Sequence, residues 1–144
     1  MNDTQFTAES LDALEAAGIR SYFRVVAISE MIELKKPDPA IFRWALREAE
    51  CSPSEALMVG DRIDNDVVPA RALGIRAIWF HVPHEAKGWI PSDGTARLHF
   101  ESQRRVSVGQ IGPKSPEERP DGEARSAEEL VCEVRRLREL SRPE

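Results

Sequence analysis

The run Ala56-Leu57-Met58-Val59-Gly60-Asp61 limits the architecture of this chain more than any other segment. Its apolar residues end in Gly-Asp, and a short helical stretch, Val67 to Leu73, follows and stops at Gly74. A short apolar run bounded by a turn signal reads as a strand buried in a parallel sheet. A second carboxylate, Asp66, follows Asp61 within the next turn, so two acids fall at the carboxyl edge of that sheet, where open α/β folds bind ligands. Acids held close together are costly unless a proton or a cation lies between them, and hard oxygen donors suit Mg²⁺.

Upstream, Lys35-Lys36-Pro37-Asp38-Pro39 closes a loop and opens a helix. Asp38 can cap the first turn, and Pro39 fits the first helical position. Apolar residues then recur at Ile41, Phe42, Ala45, Leu46 and Ala49, the repeat of a buried helical face. One ammonium is therefore fixed before a well-anchored helix and two carboxylates after the next strand. Lysine, acids and Mg²⁺ together can hold a phosphoryl group and neutralise its charge in the transition state.

Elsewhere the chain reads as scaffold. Thr7 to Ala17 predicts an amphipathic helix with Leu11 and Leu14 on one face and Gly18 as its stop. Ser52-Pro53-Ser54-Glu55 and Ser126-Ala127-Glu128-Glu129 are both capping boxes. The second predicts a helix that buries Leu130, Val131, Val134 and Leu137, with Arg135, Arg136 and Arg138 toward the end that its dipole favours. Between them, His81 to Pro120 is rich in Pro, Gly, Ser and charge and is longer than an ordinary loop.

The composition excludes several function classes. A chain of 144 residues with 41% hydrophobic residues has room for one domain. Its net charge of −5, with both signs interspersed, leaves no nucleic-acid footprint. No apolar run approaches the roughly 20 residues of a membrane span, and Met-Asn-Asp-Thr-Gln is not a signal peptide. Cys51 and Cys132 show neither zinc nor disulfide spacing, which fits a reducing cytosol and predicts a cytoplasmic protein. His81 and His84 lie three apart in a Pro-bearing loop with no obvious third ligand, so loop polarity accounts for them better than zinc. Arg97, Arg104 and Arg105 read as a solvated face rather than an anion site. Asp64 reads as a capping or solvent-facing acid, and Trp44, Trp79 and Trp89 as packing residues, with Trp89 a candidate exposed contact.

Ser29-Glu30, Lys36-Pro37-Asp38-Pro39-Ala40-Ile41-Phe42 and Met58-Val59-Gly60-Asp61-Arg62-Ile63-Asp64-Asn65-Asp66, in this order, resemble the C-terminal half of a haloacid dehalogenase (HAD) superfamily hydrolase. The likeness runs from Tyr22-Phe23 to about Phe80, and more loosely from Asn2. It implies that Lys36 is the motif III lysine, which holds the phosphoryl group and the nucleophile. It implies that Asp61 is a direct Mg²⁺ ligand and that Asp66 orients water around the metal. Asn2 corresponds to the asparagine after the motif II Ser or Thr, whose backbone helps bind phosphate. Glu33 stands at a position that is often glycine in relatives. The fold class so implied is α/β, a partial HAD-like Rossmannoid parallel sheet with flanking helices. Val25 to Ser29, Ala56 to Gly60 and Arg76 to Phe80 become strands 3, 4 and 5 of a 5-4-1-2-3 sheet. The chain then divides into the C-terminal half of the core (1–80), an irregular insertion (81–120) and a C-terminal helix packing on the core (121–144).

The chain also departs from the family pattern. No Asp-x-Asp precedes Lys36, and Met1 stands where the motif II Ser or Thr would fall. The expectation is a fragment or mis-started product without the central strands 1 and 2, poorly folded, rearranged or partner-dependent in isolation, because unpaired buried backbone is costly and open edges invite association. The function implied is a Mg²⁺-dependent phosphatase of small phosphate esters working through an aspartyl-phosphate, inactive without the missing segment. The alternative is a non-catalytic remnant, or half of a split enzyme, that docks onto a chain supplying motifs I and II. A phospho-acceptor receiver domain fits worse, because receivers place their paired acids before the lysine. The expected partners are a small phosphorylated substrate and a missing N-terminal segment or partner chain, with no nucleic acid and no membrane.

Overall fold

The computed structural model describes residues 11–81 and 112–140, which fall in two compact units, Met1–Ser52 and Pro53–Glu144. In the first unit a helix over 11–16 (α1) is followed by Gly18 at φ +68°, the left-handed stop that the sequence predicts. The N-terminal part of the expected Thr7 to Ala17 helix lies outside the described residues. Val25 to Ile28 is not a strand, contrary to expectation: no described residue ladders with it, and Ser29 opens a short helix, α2 (Ser29–Ile32). A β-branched run becomes a strand only where a neighbour completes its hydrogen bonds.

Glu33 ends α2 in the left-handed region, at φ 53° and ψ 26°, where a side chain costs about 1–2 kcal/mol. Glycine removes that strain but adds freedom to the unfolded chain. Glu33→Gly is therefore expected to stabilise the protein by about 0.5–1 kcal/mol, read as a higher urea midpoint. A lower midpoint would show that contacts of the Glu33 side chain outweigh its backbone strain. Helix α3 (Pro39–Glu48) forms as predicted: the Asp38 carboxylate accepts the Ala40 N–H at 2.8 Å, Pro39 opens the first turn, and Ile41 and Phe42 are buried.

The second unit contains a parallel sheet in the order β1-β2-β3, formed by Leu57–Gly60, Arg76–Phe80 and Gly122–Ala124. Gly60 pairs with Trp79, and Phe80 with Ala124. All three carboxyl ends thus lie along one edge. Between β1 and β2 the chain makes a π-helical turn, Ile63–Val67, that runs into α4 (Val68–Ala72) and ends before Gly74 at φ +81°. Helix α5 (Ala127–Glu139) follows β3.

Side chains of β2 alternate between two apolar clusters. Ala77 and Trp79 join Ile63 and Val67, with Met58 and Val68 against them. Ile78 joins Ala124 and Leu137, with Leu57, Phe80, Leu130 and Val134 against them. Burial on both faces explains why Arg76-Ala-Ile-Trp-Phe80 lacks a polar alternation. Val131, expected in the core, is 48% exposed: it lies off the stripe that Leu130, Val134 and Leu137 present. The capping box forms with a one-residue offset. Ser126 Oγ accepts the Glu129 N–H at 3.2 Å, while the Glu129 carboxylate accepts the N–H of Arg125 at 2.8 Å.

Strand β3 is absent from the sequence reading, since Gly-Glu-Ala has little strand character of its own. Asp121 secures it. Its carboxylate accepts the Ala77 N–H at 2.9 Å and faces Arg71 Nε at 3.3 Å, and its own N–H donates to the Ala77 carbonyl at 2.8 Å. Among the described residues, no helix is long and apolar enough to cross a membrane.

Candidate active site at the carboxyl edge of the sheet

Gly60 is the last residue of β1, and Asp61 projects just past it as an exposed residue. The chain then widens into the π turn. The Arg62 carbonyl accepts both the Asp66 N–H at 2.9 Å and the Val67 N–H at 3.2 Å, the local widening that recurs at functional sites. This turn folds Asp66 back beneath β1. Asp66 is 2% exposed, the one buried charged residue among those described, and its Oδ2 accepts the Arg62 N–H at 3.0 Å.

Glycine at position 60 is what makes room for it. A Cβ there would stand 2.5 Å from Asp66 Cγ and 2.6 Å from its Oδ2. A glycine inside a strand marks a close approach of this kind, and the sequence carried that signal at Gly60 although it was read only as a strand end. Asp64 faces outward, as expected, and pairs with Arg62 through two contacts, Nε–Oδ1 at 3.2 Å and NH2–Oδ2 at 2.8 Å. Hydrogen bonding to Asp64, reinforced by the fields of Asp66 and Asp61, raises the pKa of Arg62 further.

Trp79, directly across the ladder from Gly60, donates its indole N–H to the Asp61 carbonyl at 3.0 Å. Its ring stacks on His81 with centroids 3.7 Å apart. His81 Nε2 lies 2.7 Å from Glu123 Oε1, and Arg125 NH2 reaches the same oxygen at 2.9 Å. The bond to His81 first, and then Arg125, hold the Glu123 carboxyl below the usual glutamate range. His81 is thus engaged by a carboxylate, while its sequence neighbour His84 lies outside the described residues. None of these links was foreseen, and the one between His81 and Glu123 depends on β3, which local patterning did not disclose.

Asp61 therefore lies just past the end of β1, and Asp66 in the π turn that follows it. Lys36 is an exposed residue of the first unit, at a cis Lys36–Pro37 bond just before α3. Asn2, Trp89, Arg97, Arg104 and Arg105 lie outside the described residues. Among those described, no three or more His, Cys, Asp or Glu residues cluster as a self-sufficient metal cage. Mg²⁺ does not require one: it is commonly held by one or two carboxylates, with water and substrate phosphate completing the shell. Asp61, exposed past β1, and Asp66, buried in the turn after it, are carboxylates of the kind that Mg²⁺ takes, so their chemistry fits the ion.

A three-stranded parallel sheet with flanking helices defines an α/β protein. The chain belongs to the haloacid dehalogenase-like hydrolase family, which matches residues 4–80. It is 44% identical over 68 residues to a phosphoserine phosphatase of Thermus thermophilus, covering 47% of this chain and 27% of that protein. A glyceraldehyde 3-phosphate phosphatase of Methanopyrus kandleri is 32% identical over 120 residues, covering 83% of this chain and 42% of the relative. Among solved structures, a HAD phosphatase from Thermococcus onnurineus superposes with a TM-score of 0.56 at 26% identity, covering 87% of this chain and 45% of the other. The chain thus spans less than half the length of each.

Proposed function

We propose that this chain carries the lysine and the metal-side acids of a Mg²⁺-dependent phosphatase acting on small phosphate esters. The observation that carries the reading is the Asp61–Asp66 pair, one carboxylate exposed at the strand end and the other buried under Gly60. Asp61 would hold Mg²⁺ directly, and Asp66 would fix the water around it. When bound, the ion supplies positive charge to the phosphoryl oxygens. By the family resemblance, Lys36 would be the cation that faces the phosphoryl group and the attacking carboxylate. The Arg62–Asp64 pair occupies the guanidinium, so Arg62 serves the turn rather than the phosphate.

No Asp-x-Asp precedes Lys36, so the nucleophile is assigned to residues beyond these 144. That carboxylate would attack phosphorus in line, forming an aspartyl-phosphate as the P–O bond to the leaving alcohol breaks. A companion Asp would protonate the leaving oxygen and then activate the hydrolytic water. The segment could be continuous with this chain or belong to a partner. A non-catalytic remnant or a split-enzyme half is the second reading, and the one-sided pairing of β1 among the described residues leaves an edge that a partner strand would extend. A cytoplasmic setting accords with the free thiols Cys51 and Cys132.

The test is hydrolysis of 4-nitrophenyl phosphate by the 144-residue chain and by a version extended upstream through an Asp-x-Asp. Mg²⁺-dependent turnover is expected in the extended protein alone. Turnover by the shorter chain would overturn the assignment of the nucleophile, and silence in both well-folded proteins would overturn the phosphatase reading.

A further inference from the structure

We infer that Trp79 is a positioning residue for Asp61, holding the metal-side carboxylate by its backbone rather than by its side chain. The inference rests on the reading of Asp61 as a cation ligand. The β1–β2 ladder ends at the Gly60–Trp79 pair, so the Asp61 carbonyl is the first beyond the sheet. The Trp79 indole N–H reaches across and binds that carbonyl at 3.0 Å. An exposed residue just past a strand would otherwise be free to rotate its peptide planes, and each rotation would carry the carboxylate with it. Fixing the carbonyl limits Asp61 to the side-chain rotamers of one backbone conformation.

Trp79 suits that task because it is itself held on several sides. It is 9% exposed and packs with Ile63, Val67 and Ala77. Its ring stacks on His81, which Glu123 of β3 holds by a ring nitrogen. The π turn that buries Asp66 contributes Ile63 and Val67 to the same cluster. One indole thereby ties together the strand end bearing Asp61 and the turn bearing Asp66. A ring that only filled space would not need its N–H directed at that carbonyl, and phenylalanine would serve as well.

The test uses the 144-residue chain and two readouts. Calorimetric titration with Mg²⁺ in the presence of inorganic phosphate compares wild type, Trp79→Phe, His81→Ala and Asp61→Asn. Trp79→Phe keeps the ring and loses the donor, so the dissociation constant is expected to rise about fivefold, the factor carried by one hydrogen bond of ordinary net strength. His81→Ala removes the stacking partner but keeps the donor, and is expected to change affinity less. Unchanged affinity in a folded Trp79→Phe would overturn the positioning role while leaving the cation site standing, provided Asp61→Asn abolishes binding. Unchanged affinity in Asp61→Asn would instead overturn the site reading. Should Trp79→Phe fail to fold, indole ¹⁵N–¹H resonances of the wild type decide. The Trp79 signal is expected to exchange more slowly than that of Trp44 and to shift on Mg²⁺ saturation. An indole that neither resists exchange nor responds to Mg²⁺ would overturn the inference.

Discussion

Gly60→Ala is expected to destabilise the second unit by about 3 kcal/mol, the upper part of the usual range for overpacking, and to abolish cation binding. The added methyl would meet Asp66 Cγ at 2.5 Å and Oδ2 at 2.6 Å, and neither side can yield cheaply. Gly60 is held in register against Trp79, and Asp66 is anchored by its own N–H and by the Arg62 N–H. Relief requires moving the strand end or expelling a buried carboxylate, so the site and the fold should fail together. Urea denaturation with a parallel Mg²⁺ titration checks this. A variant within about 0.5 kcal/mol of wild type, the range of an ordinary surface substitution, would show that the turn bearing Asp66 adapts and that Gly60 does not define the site.

Asp61→Asn is expected to do the opposite: leave the fold intact and remove the chemistry. Asp61 is exposed, and the group that the fold uses is its carbonyl, bound by Trp79, which the substitution preserves. Stability should change by no more than about 0.5 kcal/mol. In the extended protein, Mg²⁺-dependent hydrolysis should fall by at least about 100-fold, as when a preorganised electrostatic group is removed from an active site. Lys36→Ala should cost nearly as much. The contrast between the two positions is the informative part. Position 60 shapes the site through sterics, whereas position 61 supplies a charge. Retained turnover in folded Asp61→Asn, or in Lys36→Ala, would sink the assignment of that residue.

Local chemistry made several elements legible. Met58, Val59, Gly60 and Asp61 announced β1 and its end, and Asp38-Pro39 fixed the start of α3, because each is decided within a few residues of chain, while Arg76 to Phe80, expected as a strand from the family resemblance, coincided with β2. What escaped depends on partners distant in sequence. Gly122–Ala124 is a strand only because β2 offers an edge and Asp121 bonds to Ala77. Val25 to Ile28, with strand-like residues, has no such neighbour among the described residues and forms no ladder. At the site, the spacing of Asp61 and Asp66 was visible, but the π turn that buries Asp66 was not. Trp79 read as a packing residue, since nothing local shows where an indole N–H will point. Glu33 shows the reverse case: a position expected to favour glycine indeed adopts a left-handed backbone.

The central claim is that Asp61 and Asp66 form a cation site. Its most direct test is electron paramagnetic resonance of Mn²⁺, standing in for Mg²⁺, titrated into the folded 144-residue chain and into Asp61→Asn with inorganic phosphate present. One bound ion per wild-type chain, displaced by excess Mg²⁺ and lost in the variant, is the predicted result. Absence of bound ion in the wild type, or equal binding by the variant, would contradict it.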